Sequence, residues 1–281
     1  MPPGTLDEAG LPASHPEAGR SEPRAHRPRL ARLRAAARGA GILAVTGATY
    51  ALFLLGALLA PWPRRRRAWQ DGVRARWAGA VGRLLGLVWR VEGRPPAPPF
   101  LMVANHVSYT DVFVLMAVTG AHFVAKAEVG SWPLVGHLCR VSGTMLIDRG
   151  AKRDLLRIGR AIEERMAGGG GVIVFPEGTT GRGDAMLPFK ASLLEVAVRG
   201  GAPVWYATVA YRYPDGSPPG DAVVWWGDAE FVPHLSRLLR VPRIEAVVTF
   251  GPEPIAAADR KLLAERLRAA MGGIFEPSAE P

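Results

Sequence analysis

At 281 residues the chain is long enough to bury a full core, and its length argues for one globular domain with appendages. A formal net charge of +10 points to an anionic partner, whether nucleic acid, a membrane surface or a phosphorylated substrate, without choosing among them. The single cysteine, Cys139, excludes an intramolecular disulfide framework, argues against a cysteine-based zinc site, and is expected to be a small buried apolar residue.

Residues 1–26 are rich in Pro, Glu, Ala, Ser and Arg and carry no apolar period, so a disordered leader is expected there. A membrane-associated helical segment is predicted over 27–93. It begins with the basic RPRLARLRAAAR (27–38) and continues with GAGILAVTGATYALFLLGALLAPWP (39–63), long enough as a helix to cross a hydrocarbon core of about 30 Å. The run lies behind too long a polar leader to read as a cleaved signal peptide. A second arginine cluster, RRRR at 64–67, follows it. Because positive clusters belong on the cytoplasmic side, a single span strands one of the two outside. The next stretch, WQDGVRARWAGAVGRLLGLVWRV (69–91), spaces Val73, Trp77, Val81, Leu84 and Val88 at helical intervals with arginines between, the pattern of an interfacial amphipathic helix. A true span and a two-helix hairpin that returns to one leaflet both fit. A buried core helix has to pack most of the 25 uncharged residues of 39–63 inside protein.

After the Pro-rich hinge RPPAPPF (94–100), short β-branched runs alternate with helical patterns, which predicts an α/β domain over 94–275. Strands are expected at FLMVA, HFVAK, GTMLIDR, GVIVFP, PVWYATVAY, AVVWWG and IEAVVTFG, and helices starting near Asp111, Asp154, Phe189 and Asp259. The helix from Asp154 places Leu155, Ile158, Ile162 and Met166 on one face. GGGG at 168–171 precedes a strand rather than opening a helix, so it reads as a turn and not a phosphate cradle. No Walker motif, GxSxG elbow or HExxH pair is present.

Two stretches carry chemistry. In VANHVSYTDVFVL (103–115), His106 and Asp111 are a possible catalytic pair, a metal site or two polar residues bordering a buried element. Within one regular helix, five residues at about 100° each leave them roughly 140° apart and unable to touch. The pair therefore requires His106 in the turn after a strand, with Asp111 in the first turn of a helix capped by a Ser or Thr. Asp111 then fixes the imidazole tautomer, and the other ring nitrogen faces a substrate hydroxyl as general base. The second stretch, VIVFPEGTTGRG (172–183), ends an apolar strand in a polar loop, and such exits line the ligand crevice of open α/β sheets.

Together NHVSYTD, GTMLIDR, FPEGTT and APVWYATV, in that order over roughly residues 95–250, resemble the glycerolipid acyltransferase family, with its NHx4D and FPEGT motifs. The resemblance implies an α/β fold with a mixed central β-sheet flanked by helices, preceded by an N-terminal membrane-embedded helical motif, and it favours the hairpin over the span. It implies a membrane-bound O-acyltransferase at the cytoplasmic face of the inner membrane, moving a fatty acyl group from acyl-CoA or acyl carrier protein to a lysophospholipid, with no cofactor or metal. His106 would be the base and Asp111 its orienting partner. Glu177 and Gly178, with Thr179 and Thr180, would form the acceptor site. Arg149 would contact acceptor phosphate, and Lys126 could serve the same anion. The basic flanks would sit on anionic headgroups rather than nucleic acid. The type members follow FPEGT with arginine, whereas here Thr180 stands in that place and Arg182 follows two positions later. Either Arg182 or Lys190 replaces the guanidinium, or the acceptor lacks a glycerol phosphate. The expected acceptor is 1-acylglycerol-3-phosphate, with lyso-ornithine lipid as the alternative; a non-catalytic lipid-binding protein of the same fold is the alternative of another class.

Overall fold

The computed structural model describes residues 28–59, 62–132, 135–148, 152–217 and 219–279. The expected leader and Arg149 lie outside the described residues. Two long helices open the chain, α1 (Pro28–Leu59) and α2 (Pro63–Leu84), followed by β1 (Leu87–Glu92), β2 (Phe100–Ala104), α3 (Thr110–Thr119), β3 (His122–Lys126), α4 (Val135–Val141) and β4 (Met145–Ile147). Then come α5 (Lys152–Ala167), β5 (Gly171–Val174), α6 (Glu195–Arg199), β6 (Val204–Arg212), α7 (Phe231–Leu238), β7 (Ile244–Phe250) and α8 (Arg260–Gly272).

The strands form one seven-stranded sheet in the order β1-β7-β6-β2-β5-β3-β4. β2 pairs parallel with β5 and β6, and β3 pairs parallel with β4 and β5, so these five strands end at one edge of the sheet. β6 and β7 pair antiparallel and β1 runs parallel to β7, which makes the sheet mixed, as the resemblance implies. All five residues of β2 are buried, which is why it reads as an unbroken apolar run: a central strand has no solvent face. Alternate side chains divide the core. Phe100, Met102 and Ala104 join the layer of α2 and α3, whereas Leu101 and Val103 join the layer of α5, α6 and α8. The inward face expected for the helix from Asp154 is found, with Ile158 and Ile162 buried in the second layer. The glycine run makes the expected turn, and Gly171 opens β5, where a Cβ would lie 2.3 Å from the Phe100 ring.

The structure corrects several expectations. Leu87–Glu92, placed by periodicity in an amphipathic helix, is a strand that pairs with β7 from Leu87↔Ile244 to Glu92↔Thr249. AVVWWG is no strand. Val223 and Val224 are buried as a strand's would be, but their N–H groups bond back to the Gly220 carbonyl and that of Trp225 bonds the Val107 carbonyl, so no ladder forms. A 3-10 turn at Ala191–Leu194 precedes α6 where a helix was expected from Phe189. Cys139, on α4, is partly exposed rather than buried.

Among the described residues, one helix is long and apolar enough to cross a membrane, Pro28–Gly56, and only 6% of its most apolar window is buried by protein. α2 folds back along α1, with Trp77 Nε1 donating to Thr46 Oγ1 at 3.1 Å and Trp69 Nε1 to the Leu52 carbonyl at 3.2 Å. Its apolar face is not turned to lipid as its periodicity suggested, for Val73, Ala78, Val81 and Leu85 are buried against the rest of the chain. Buried Arg74 fastens this helix, donating to the Gly120 carbonyl at the end of α3 (2.5 Å) and to the Ser142 carbonyl after α4 (3.3 Å). A guanidinium placed at helix C-termini satisfies carbonyls that have no partner within the helix.

Candidate active site

β2 ends at Ala104, and the next residue sets the turn. Asn105 is buried, and its side chain mimics a strand partner: Oδ1 accepts from the Val209 N–H at 2.7 Å and Nδ2 donates to the Val209 carbonyl at 3.0 Å. The chain thereby stays fixed to β6 one residue beyond its own strand and delivers His106 at the sheet's C-terminal edge.

His106 and Asp111 meet as the spacing requires, with Nδ1 2.8 Å from Asp111 Oδ2. The same oxygen accepts the N–H groups of Val107 (2.9 Å) and Ser108 (3.0 Å), and Oδ1 accepts from Tyr211 OH at 2.7 Å. A side chain with no exposed surface is thus matched by four donors, as a buried carboxylate must be. The Ser108 side chain contributes to the helix start through a 3.3 Å contact with the Thr110 N–H, while the Asp111 carboxylate takes two backbone N–H groups, so Asp111, rather than the expected Ser or Thr cap, organises this turn. Burial and the neighbouring Asp111 push the Tyr211 phenol far above its usual range, which keeps it a donor. Thr110 Oγ1 donates to the same phenol oxygen at 2.9 Å.

The His106 side chain is 18% exposed, so the imidazole is reachable where its partner is not. One face of the ring stacks on Phe175, with centroids 3.9 Å apart and planes 9° from parallel. With Nδ1 held by a carboxylate and one face covered, Nε2 is the atom available to a substrate proton. Among the described residues, no group of three or more His, Cys, Asp or Glu side chains is placed to hold a metal ion.

The FPEG loop locks onto this turn from the end of β5. Phe175 to Gly178 close a tight turn, Gly178 N–H to Phe175 carbonyl at 3.1 Å, with Gly178 at φ 77°, a backbone that favours glycine. Glu177, 3% exposed, spends both oxygens on backbone: Oε1 accepts the His106 N–H and Oε2 the Leu187 N–H, each at 2.8 Å. Burial pushes its carboxyl up to about 7, against the pull of those two N–H groups. The Gly181 N–H completes the lock on the His106 carbonyl at 2.8 Å. Glu177 therefore ties two loops together, and the loop edge left open beside His106 is Thr179, exposed, and Thr180, half-buried.

The basic candidates are spread more widely. Lys126 closes β3, exposed and 3.9 Å from Glu128, and Lys190 is exposed, its N–H bonded to the Pro176 carbonyl at 2.7 Å. The Arg182 guanidinium lies over the Trp226 ring, 5.1 Å from its centroid. The sequence reading missed the roles of Asn105, Phe175 and Tyr211. The first two stood inside quoted motifs, whereas Tyr211 had no local signal at all.

The sequence profile of the family described as Acyltransferase matches residues 88–211 of this chain. The chain is 34% identical over 251 residues to the lyso-ornithine lipid O-acyltransferase of Pseudomonas aeruginosa, covering 86% of this chain and 93% of that one. It is also 34% identical to the 1-acyl-sn-glycerol-3-phosphate acyltransferase of Neisseria gonorrhoeae, over 71% of this chain and 80% of the other. Among solved structures, the 1-acyl-sn-glycerophosphate acyltransferase PlsC of Thermotoga maritima shares the fold, with a TM-score of 0.61 at 19% identity over 89% of this chain and all of the other.

Proposed function

This chain belongs to the acyltransferase family, as an O-acyltransferase of the lysophospholipid type, and we propose that its acceptor is lyso-ornithine lipid. His106 Nε2 takes the proton of the acceptor hydroxyl as its oxygen attacks the thioester carbonyl of acyl-CoA or acyl carrier protein. The C–S bond breaks, and the departing thiolate receives that proton back from the imidazolium. Asp111 holds Nδ1–H and stabilises the charge that passes through the ring. These residues need no cofactor beyond the acyl donor.

The observation that carries the choice of acceptor is the engagement of Arg182. Position 180 offers a hydroxyl, and the guanidinium of Arg182, one of the two expected replacements for the missing arginine, lies over Trp226. A phosphate monoester, a dianion, calls for a fixed bidentate partner. An ornithine headgroup carries one carboxylate balanced by an ammonium and makes no such demand. The antiparallel α1–α2 pair supports a hairpin held in the inner membrane, with the sheet's C-terminal edge toward the cytoplasmic headgroups.

Purified full-length protein, offered lyso-ornithine lipid, lysophosphatidic acid and lysophosphatidylcholine with labelled acyl donor, is expected to acylate the first at least about tenfold faster than the others. Thr180→Arg is expected to raise the use of lysophosphatidic acid. A wild-type preference for lysophosphatidic acid overturns the choice of acceptor, and lipid binding without product from any acceptor indicates a non-catalytic protein.

A further inference from the structure

The helical layer on the far side of the sheet from the α1–α2 hairpin presents surface that the acceptor site does not use. On α5, Arg153, Leu156, Arg157 and Arg160 are all exposed and stand at i, i+3, i+4 and i+7, so they form one outward stripe. Leu156, 50% exposed, sits among the three guanidiniums. Beside the stripe runs a groove of about 430 Å³, floored by Leu155, Leu193 and Val196 and rimmed by Arg160, Arg199 and Arg260. Four carboxylates, Asp154, Glu163, Glu164 and Glu195, stand against the five arginines and leave the surface basic by one charge. Glu195 is shared by Arg199 (3.0 Å) and Arg260 (3.1 Å), Asp154 is held by Arg157 (2.6 Å), and Glu163 stands at the groove's edge.

Two placements say what this surface faces. α5 follows β4 and leads back to the start of β5, so its first turns lie at the sheet edge that carries His106; Arg157 Nη2 donates to the Leu146 carbonyl at 2.6 Å. The layer of α5, α6 and α8 also lies across the sheet from α2 and α3, on which the apolar α1 rests. A basic surface beside the membrane helices would suit headgroups; this one lies on the opposite face of the sheet from them, with its first turns near the catalytic edge, where the donor must arrive.

Resting on the acyl-transfer reading above, we propose that the α5 stripe and its groove dock an acidic acyl carrier protein and direct its thioester arm to His106. An exposed leucine within the stripe is the apolar anchor that a protein interface uses, with arginine as the companion residue enriched there. Complementary charge adds to the encounter rate and falls off with salt.

The test compares one acyl chain presented as acyl carrier protein thioester and as acyl-CoA to the full-length protein with the same acceptor. The double variant Arg153→Glu, Arg160→Glu is expected to raise KM for the carrier thioester at least about tenfold at low salt, with kcat unchanged and acyl-CoA kinetics unaltered. The wild-type KM for the carrier thioester is expected to climb with ionic strength. An equal change for both donors, no change for either, or a wild-type enzyme that uses acyl-CoA alone overturns the docking assignment while leaving the acyl-transfer reading intact. If neither donor gives product with the wild-type protein, the function itself is refuted and the docking site falls with it.

Discussion

Replacing His106 by alanine is expected to lower acyl transfer by at least about a thousandfold while leaving the protein in the membrane fraction and folded. General base catalysis by an oriented imidazole contributes about 10²–10⁴ in rate, and Asp111 is placed to add to it by fixing the tautomer. The fold does not depend on the ring in the same way: the turn is held by the backbone N–H and carbonyl of His106 and by the Asn105 side chain, none of which alanine at 106 removes. Turnover by labelled-acyl incorporation, set against thermal unfolding of the same preparation, separates the two. Substantial remaining activity in a well-folded variant would refute the base assignment.

Glu177→Gln is expected to cost about 10- to 100-fold in kcat for a different reason. Each carboxylate oxygen receives one backbone N–H, from His106 and from Leu187. An amide keeps one acceptor, but its NH₂ then points at a backbone donor, so either the His106 turn or the Leu187 loop is released. Misplacing the base by a fraction of an ångström suffices for such a loss. Stability carries its own signature. The folded pKa, about 7, lies above the ordinary 4.5, so the fold binds this proton more tightly than the unfolded chain. That contribution is fully present below about pH 4.5 and is lost as pH rises through about 7. Glutamine does not titrate, so the variant is expected to gain on the wild type in unfolding midpoint as pH is raised across this window. A constant gap between the two would show that burial does not hold the proton there.

What the sequence disclosed follows distance along the chain. The His106–Asp111 contact was legible because both partners lie within one strand-turn-helix junction, where helical geometry alone decides which arrangement permits contact. Glu177 was singled out, but on resemblance it belonged to the acceptor site; its bonds to two N–H groups from separate loops are a tertiary fact. Tyr211, a hundred positions from Asp111, looked like another strand aromatic. Arg182 was expected as one replacement for the missing guanidinium, and its position over Trp226 depends on where a stretch misread as a strand comes to lie. β1 was lost to the helix before it because Val88 continues the apolar period of Val81 and Leu84. The alternation Leu87, Trp89, Val91 fits equally well, and pairing with β7, more than 150 residues away, decided between them.

That strand has a practical consequence for work on this enzyme. β1 follows α2 with only a tight bend between, the Gly86 carbonyl accepting the Ile244 N–H at 3.0 Å, and it covers what is otherwise the naked edge of β7. Cutting the chain at the Pro-rich hinge to obtain a water-soluble half removes that cover. It also bares the flank of α3, where Phe113 packs edge-on against Trp77 and Ala117 lies against Gly79. An unpaired edge and an open apolar flank are the ingredients of aggregation. The α1–α2 arm is a structural wall of the enzyme, and detergent or a nanodisc, rather than truncation, is the way to handle it.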